Sequence, residues 1–324
     1  MKYQPKVTII IPVYNGSDFL NEAINSALSQ TYKNCEILVV NDGSTDNGKS
    51  ESIALSYGEK IKYYSKDNGG VSSALNFAFK KINGEWFSWL SHDDLYYPEK
   101  IEKQICFINR LLEDDPQINL NKITIRSATE SINKYGKIIK RPNYKNIQEK
   151  EKIIDTILNN ISNYRLSGCS FLLPSSCVKD IGEFNEKIRT VSDVEYWYRL
   201  LFSGYQFFCL KNDVLVQNRN HGKQIGKTKK NLFKKELTDL FIWIADELNK
   251  NKTYSNIKNN EKLYYGFLKR NNKIAAKYVK IRYINSFVGR TKYFIKYSFY
   301  YFIFSIYGIF RTVAKRIYRK IFVK

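Results

Sequence analysis

The chain has 324 residues, a hydrophobic fraction of 43%, and 53 Lys and Arg against 31 Asp and Glu. That is enough apolar material for one large domain, or one domain with a smaller appendage. Five scattered cysteines (Cys35, Cys106, Cys169, Cys177 and Cys209) show no C-x-x-C spacing, which argues against a zinc module and for reduced, buried thiols in a cytosolic protein.

The net charge of +22 is unevenly spread. Sixteen Lys and Arg and no acidic residue fall in 262–324, which leaves +6 for the first 261 residues. Such asymmetry points to a polyanion, either nucleic acid or an anionic membrane surface. The opening MKYQPKVTIIIPVYN does not read as a secretory leader, because a Pro interrupts its short apolar run.

In chain order, 7–13 (VTIIIPV) and 35–41 (CEILVVN) are β-branched apolar runs of the kind that form strands covered on both faces. Between them Leu20, Ala23, Ile24, Ala27 and Leu28 give a helix an apolar side, with Ser17 or Asp18 as its cap. A strand at 61–65, a helix over 71–81 and a strand at 86–90 follow, and Pro98 opens a helix that runs to about 112. Strands alternating with helices predict a doubly wound α/β domain with a mostly parallel sheet. Further on, 123–139 reads as a hairpin with Tyr135-Gly136 near its turn. A helix near 149–160, a strand near 168–173 and a helix over 193–202 complete the pattern. Beyond His221 the composition turns to Lys, Asn and Tyr with helical periodicity. The expected division is therefore a domain over 1–225 and a basic helical extension over 226–324.

Ligands of open α/β sheets bind beyond the carboxyl ends of the strands. Three polar clusters meet that rule: Pro12-Val13-Tyr14-Asn15-Gly16, Asn41-Asp42-Gly43-Ser44-Thr45-Asp46, and Ser91-His92-Asp93-Asp94. Adjacent carboxylates repel unless a cation or a basic group lies between them, so Asp93 and Asp94 call for a divalent ion. Taken singly, the Asp-Gly segment is also ordinary turn chemistry, and the Asp pair also reads as a solvated strand end.

Together, VTIIIPVYN, NDGSTD, NGGVSSALN, WLSHDD and the later SGCS and VSDVEYWYRL resemble the family 2 glycosyltransferases of GT-A fold, over roughly residues 5–225. The resemblance implies that Pro12, Tyr14, Asn15 and Asp42 line the nucleotide-base pocket, and that Asn68, Gly70 and Asp93 face ribose and diphosphate. Asp93, Asp94 and His221 would then hold Mn2+ or Mg2+, with Asp193 as the catalytic base. Where the family's D-x-D motif has its first Asp, this chain has Ser91. A helix N-terminus would favour the ionised form of Asp193, and Arg219 and Lys223 would add positive charge beside a leaving diphosphate. The implied reaction passes a sugar, with inversion, from a nucleoside-diphosphate donor, UDP-linked by resemblance, to a hydroxyl of a glycan or lipid-linked acceptor.

The tail makes its own statement. Residues 293–310 carry one charge, and Arg311, Lys315, Arg316, Arg319 and Lys320 follow on roughly one helical face. That pattern reads as an interfacial helix on an anionic membrane, which would make the protein peripheral at the inner face of the cell membrane. Two other readings stay open: nucleic-acid binding through the tail, and a nucleotidyltransferase on a similar sheet. Against the first, the excess charge is confined to the tail and no nucleic-acid motif occurs, so no nucleic-acid partner is expected.

Overall fold

The computed structural model describes residues 2–141, 148–163 and 166–284. In chain order these form β1 (Val7–Val13), α1 (Leu20–Leu28), β2 (Cys35–Asp42), α2 (Lys49–Leu55), β3 (Lys62–Lys66), α3 (Val71–Phe79), β4 (Trp86–Trp89), β5 (Leu95–Tyr96) and α4 (Lys100–Asp114). There follow β6 (Ile123–Asn133), β7 (Ile138–Lys140), α5 (Ile153–Asn163), β8 (Phe171–Pro174), α6 (Cys177–Ile181), α7 (Ser192–Phe202), β9 (Gln206–Asn220), α8 (Ile225–Thr228), α9 (Lys230–Lys250), α10 (Ile257–Lys269) and α11 (Lys273–Val279). The proposed membrane segment at 293–320 lies outside the described residues. Within them, no helix is long and apolar enough to cross a membrane.

The strands form one sheet in the order β3-β2-β1-β4-β8-β6-β9-β5, with β7 paired to β6. The first four are parallel, and the apolar runs of β1 and β2 fit strands covered on both faces. The second half is mixed: β8 runs antiparallel to β4 and β6, while β6 and β9 are parallel. The expected hairpin is present as β6 and β7.

Side-chain alternation sends β1 residues to both faces. Ile9 and Ile11 pack with Leu20, Ile24, Ile101 and Ile105 on the α1/α4 side. Ile10 joins the opposite core with Ala74, Trp197, Leu240, Phe241 and Phe267. Helices α9 and α10 therefore share a core with the strands, and packing is continuous across residue 225, where composition predicted a boundary.

One local expectation needs correcting. Helix α1 is entered through Phe19 with no side-chain cap; Asp18 is instead drawn to Lys223, 2.6 Å away. The 15-residue strand β9 was not predicted. Between Ser127↔Leu210 and Ala128↔Val214 its pairing skips residues 211–213. This bulge splits its two apolar stretches, so neither shows a full strand period.

Beneath the strand ends lies a buried polar post. Lys100 Nζ donates to Ser88 Oγ (2.8 Å) and Gln104 Oε1 (3.0 Å) and sits 4.2 Å from the centre of the Tyr96 ring. Burial pushes this lysine down to about 7. The Tyr96 hydroxyl donates to the Trp89 carbonyl at 2.6 Å. These bonds tie α4 to the end of β4, where the Asp pair begins.

Candidate active site

Parallel pairing brings the ends of β1, β2 and β4 to one edge, and the three predicted clusters meet there. Gly16 packs so tightly on His92 that an added Cβ would come within 2.4 Å of the ring. Tyr14 is 45% exposed, available to a ligand's face, whereas Pro12 is buried. The Asn15 side chain turns to the neighbouring loop, accepting from the Thr45 N–H (2.7 Å) and donating to Thr45 Oγ1 (3.2 Å). Asp46 holds Ser50 through both N–H and hydroxyl, bracing the same loop.

The buried Asp42 carboxylate accepts from the Gly69 N–H (3.0 Å), the Gly70 N–H (2.6 Å) and Lys66 Nζ (3.0 Å), and Asn68 Nδ2 donates to its carbonyl. Gly43, at φ 66°, is needed here, since a Cβ would lie 2.6 Å from the Asn68 nitrogen.

The two adjacent aspartates are used differently. Asp94 is buried, and both of its oxygens are taken: Oδ1 by the Arg219 N–H (2.8 Å), Oδ2 by Asn218 Nδ2 (3.0 Å) and the Cys169 thiol (3.2 Å). Burial, with the Asp93 charge beside it, pushes the Asp94 carboxyl above the usual carboxylate range. Asp93 instead places Oδ2 2.8 Å from His221 Nε2. A carboxylate oxygen and an imidazole nitrogen thus converge 128 residues apart in sequence. Both groups are suitable cation donors. Ser91 at the departed motif position contacts the Cys169 sulfur through its N–H and hydroxyl. Among the described residues no cluster of three or more His, Cys, Asp or Glu converges. Asp93 and His221 would be the residues to hold a divalent cation, which would supply positive charge beside a diphosphate.

The expected role of Arg219 is overturned. Its guanidinium is buried: Nη2 bonds Glu22 (2.7 Å), Nη1 the Lys134 carbonyl (3.0 Å) and Nε the Asp93 carbonyl (2.9 Å), all above the Phe19 ring. Arg219 fastens the Asp93 backbone and offers no free charge to a diphosphate. Lys223 is exposed and paired with Asp18. Sequence reasoning missed Asn218 and Glu22, whose importance depends on β5 pairing Leu95 with Gln217.

Asp193 stands in the first turn of α7, which begins after Val191. Stacking of Trp197 on Phe171, with centroids 4.4 Å apart, holds the helix to β8. Burial pushes the Asp193 carboxyl up to about 6, outweighing the backbone N–H groups of Val194 and Asp193 itself, which favour the ionised form.

The mixed α/β sheet thus places Asp42, Asp93 and Asp94 at the ends of its parallel strands. Residues 8–170 match the profile of Glycosyl transferase family 2, and the chain belongs to that family. An uncharacterized glycosyltransferase of Rickettsia typhi is 44% identical over 226 residues, covering 70% of this chain and 67% of the relative. One of Rickettsia felis is 43% identical over 225 residues, but the chain spans only 36% of that relative's length. Among solved structures, S. aureus TarS 1-349 in complex with UDP-GlcNAc superposes with a TM-score of 0.62 at 17% identity, over 82% of this chain and 72% of TarS. The mannosyltransferase PcManGT from Pyrobaculum calidifontis, with GDP-Man and Mn2+, gives 0.56 at 14% identity over 97% and 84%. At these identities the structures establish the GT-A fold.

Proposed function

We propose that the chain transfers a sugar from a nucleoside-diphosphate donor, of the UDP class, to a hydroxyl of a glycan or lipid-linked acceptor in surface polysaccharide synthesis. The observation that carries this reading is the Asp93–His221 pair at the same sheet edge as the exposed Tyr14 and the Asp42–Gly70 loop. Tyr14 would lie against the base, with Pro12 and Asp42 in the same pocket. Asn15 would hold the pocket's shape by its bonds to Thr45. Asn68 and Gly70 would meet ribose and diphosphate. Asp93 and His221 would hold Mn2+ or Mg2+, with Asp94 fixing the loop from below. A bound cation would supply charge neutralisation at the departing diphosphate. Asp193 takes the proton of the acceptor hydroxyl as that oxygen bonds the anomeric carbon, while the bond from this carbon to the diphosphate oxygen breaks on the opposite face. A carboxyl near 6 suits this role, being ionised at neutral pH and still basic enough to accept a proton. The UDP-GlcNAc complex of TarS supports the donor class, and the GDP-Man and Mn2+ complex of PcManGT supports a nucleotide-sugar with a cation.

The test is a panel of UDP-, GDP- and dTDP-sugars scored for thermal stabilisation and for Mn2+- or Mg2+-dependent hydrolysis. At least one UDP-sugar should raise the melting temperature and be hydrolysed. Stabilisation by GDP-sugars alone would overturn the donor class.

We also propose that the basic segment beyond 290 binds an anionic membrane, which would place the chemistry at the inner membrane face. Each Lys or Arg near such a surface contributes about 1 kcal/mol. Full-length protein should co-sediment with phosphatidylglycerol-containing liposomes and not with purely zwitterionic ones. Equal binding to mixed RNA at the same salt would favour the nucleic-acid reading instead.

A further inference from the structure

The segment 184–190 joins two regions that the proposed reaction needs together. At its start, Asn76 of α3 makes a two-way clamp. Its side-chain oxygen accepts from the Phe184 N–H (2.9 Å), and its Nδ2 donates to the Phe184 carbonyl (3.0 Å) and to Glu186 (2.9 Å). At its end, Glu236 of α9 takes three donors: the Arg189 N–H on Oε1 (2.9 Å), and the Thr190 N–H (2.8 Å) and hydroxyl (2.5 Å) on Oε2. Between these clamps the Arg189 guanidinium reaches the Gly69 carbonyl. It lies so near that a Cβ on Gly70 would meet Nη1 at 2.5 Å. Three residues beyond Thr190 stands Asp193.

We infer that Glu236 is a positioning residue for sugar transfer, setting the Asp193 carboxylate and the Arg189 guanidinium as one unit against the Gly69–Gly70 loop. This rests on the reading of Asp193 as the base. The chemistry favours a carboxylate at 236, because one group must accept from two adjacent backbone amides and a hydroxyl. Charge-assisted bonds of this kind are the stronger class. Helix α9, outside the matched family segment 8–170, is thereby bonded to the stretch of chain that leads to Asp193.

The test compares full-length Glu236→Ala and Glu236→Gln, using the UDP-sugar that the wild-type chain turns over fastest. Misplacing a reacting group by about 1 Å can cost ~10²-fold. Glu236→Ala should therefore lower kcat by about 10- to 100-fold, with a smaller rise in donor KM, and should move the acid limb of the pH–rate profile. Gln keeps one carbonyl acceptor and should recover part of kcat. Hydrogen exchange read without substrate should quicken in peptides covering 184–195. Unchanged exchange, or a lowered melting temperature with kcat and the acid limb intact, would overturn the inference by leaving Glu236 a mere fastener. Asp193→Asn run alongside separates the two readings. If it still transfers, the base assignment fails. If it is inactive while Glu236→Ala matches wild type, only the positioning inference fails.

Discussion

Asp193→Asn is expected to lower transfer by about 10²- to 10⁴-fold, the range that a positioned general base contributes, while UDP binding stays close to wild type. The pH dependence follows from the carboxyl near 6. The base works ionised, so the wild-type rate should fall about tenfold per unit once pH drops below that value, and the Asn variant should lack this limb. Stability should move the other way. The folded carboxyl is raised above its ordinary value of 3.8, so the folded state binds the proton more tightly than the unfolded chain. Its contribution is most favourable below about pH 4 and is lost as pH rises through 6. At pH 7.5 the ionised group costs on the order of 1–3 kcal/mol, and the Asn variant should melt higher than wild type there, with the gap closing towards pH 4. A variant that transfers normally would refute the assignment; one that is inactive but also melts lower would mean that Asp193 braces α7.

The second large effect separates two neighbouring carboxylates. Asp93→Ala removes the oxygen that faces His221 and should reduce transfer by at least about 10²-fold. It should also abolish the extra stabilisation that Mn2+ gives a UDP complex, with little change in the melting temperature of the free protein. Asp94→Ala leaves the Arg219 N–H, Asn218 and Cys169 without their acceptor in a buried site. Each orphaned donor costs about 1–3 kcal/mol, so this variant should lose several degrees of melting temperature as well as activity. Calorimetry with UDP, with and without MnCl2, reads both effects. The reverse pattern, Asp93→Ala unstable and Asp94→Ala deaf to Mn2+, would exchange their roles.

Much of this could be read in advance because it is local. Strands β1 and β2 are buried on both faces, and their apolar runs announce it; the turn after Asp42 follows from Gly43, which accepts left-handed backbone at φ 66°. The aspartates stand out because two carboxylates at a strand end need a reason. The chain by itself therefore determined the parallel half of the sheet and the family.

What residue patterns leave open is set by contacts between distant segments. Asp94 and Arg219 meet 125 residues apart, through a strand whose period is broken by a bulge at 211–213. Only that pairing decides that Arg219 is a buried brace, that Asp94 is spoken for, and that Asp93 is the carboxylate left facing His221. Across the change in composition near 225, Leu240 and Phe241 lie in one core cluster with Ala74 and Leu75 of α3 and Trp197 of α7. Glu236 reads as one more charge on a helix until folding brings it to the Arg189 and Thr190 amides. Hydrophobic periodicity records which side of an element is buried; which polar group meets which is decided by tertiary contact.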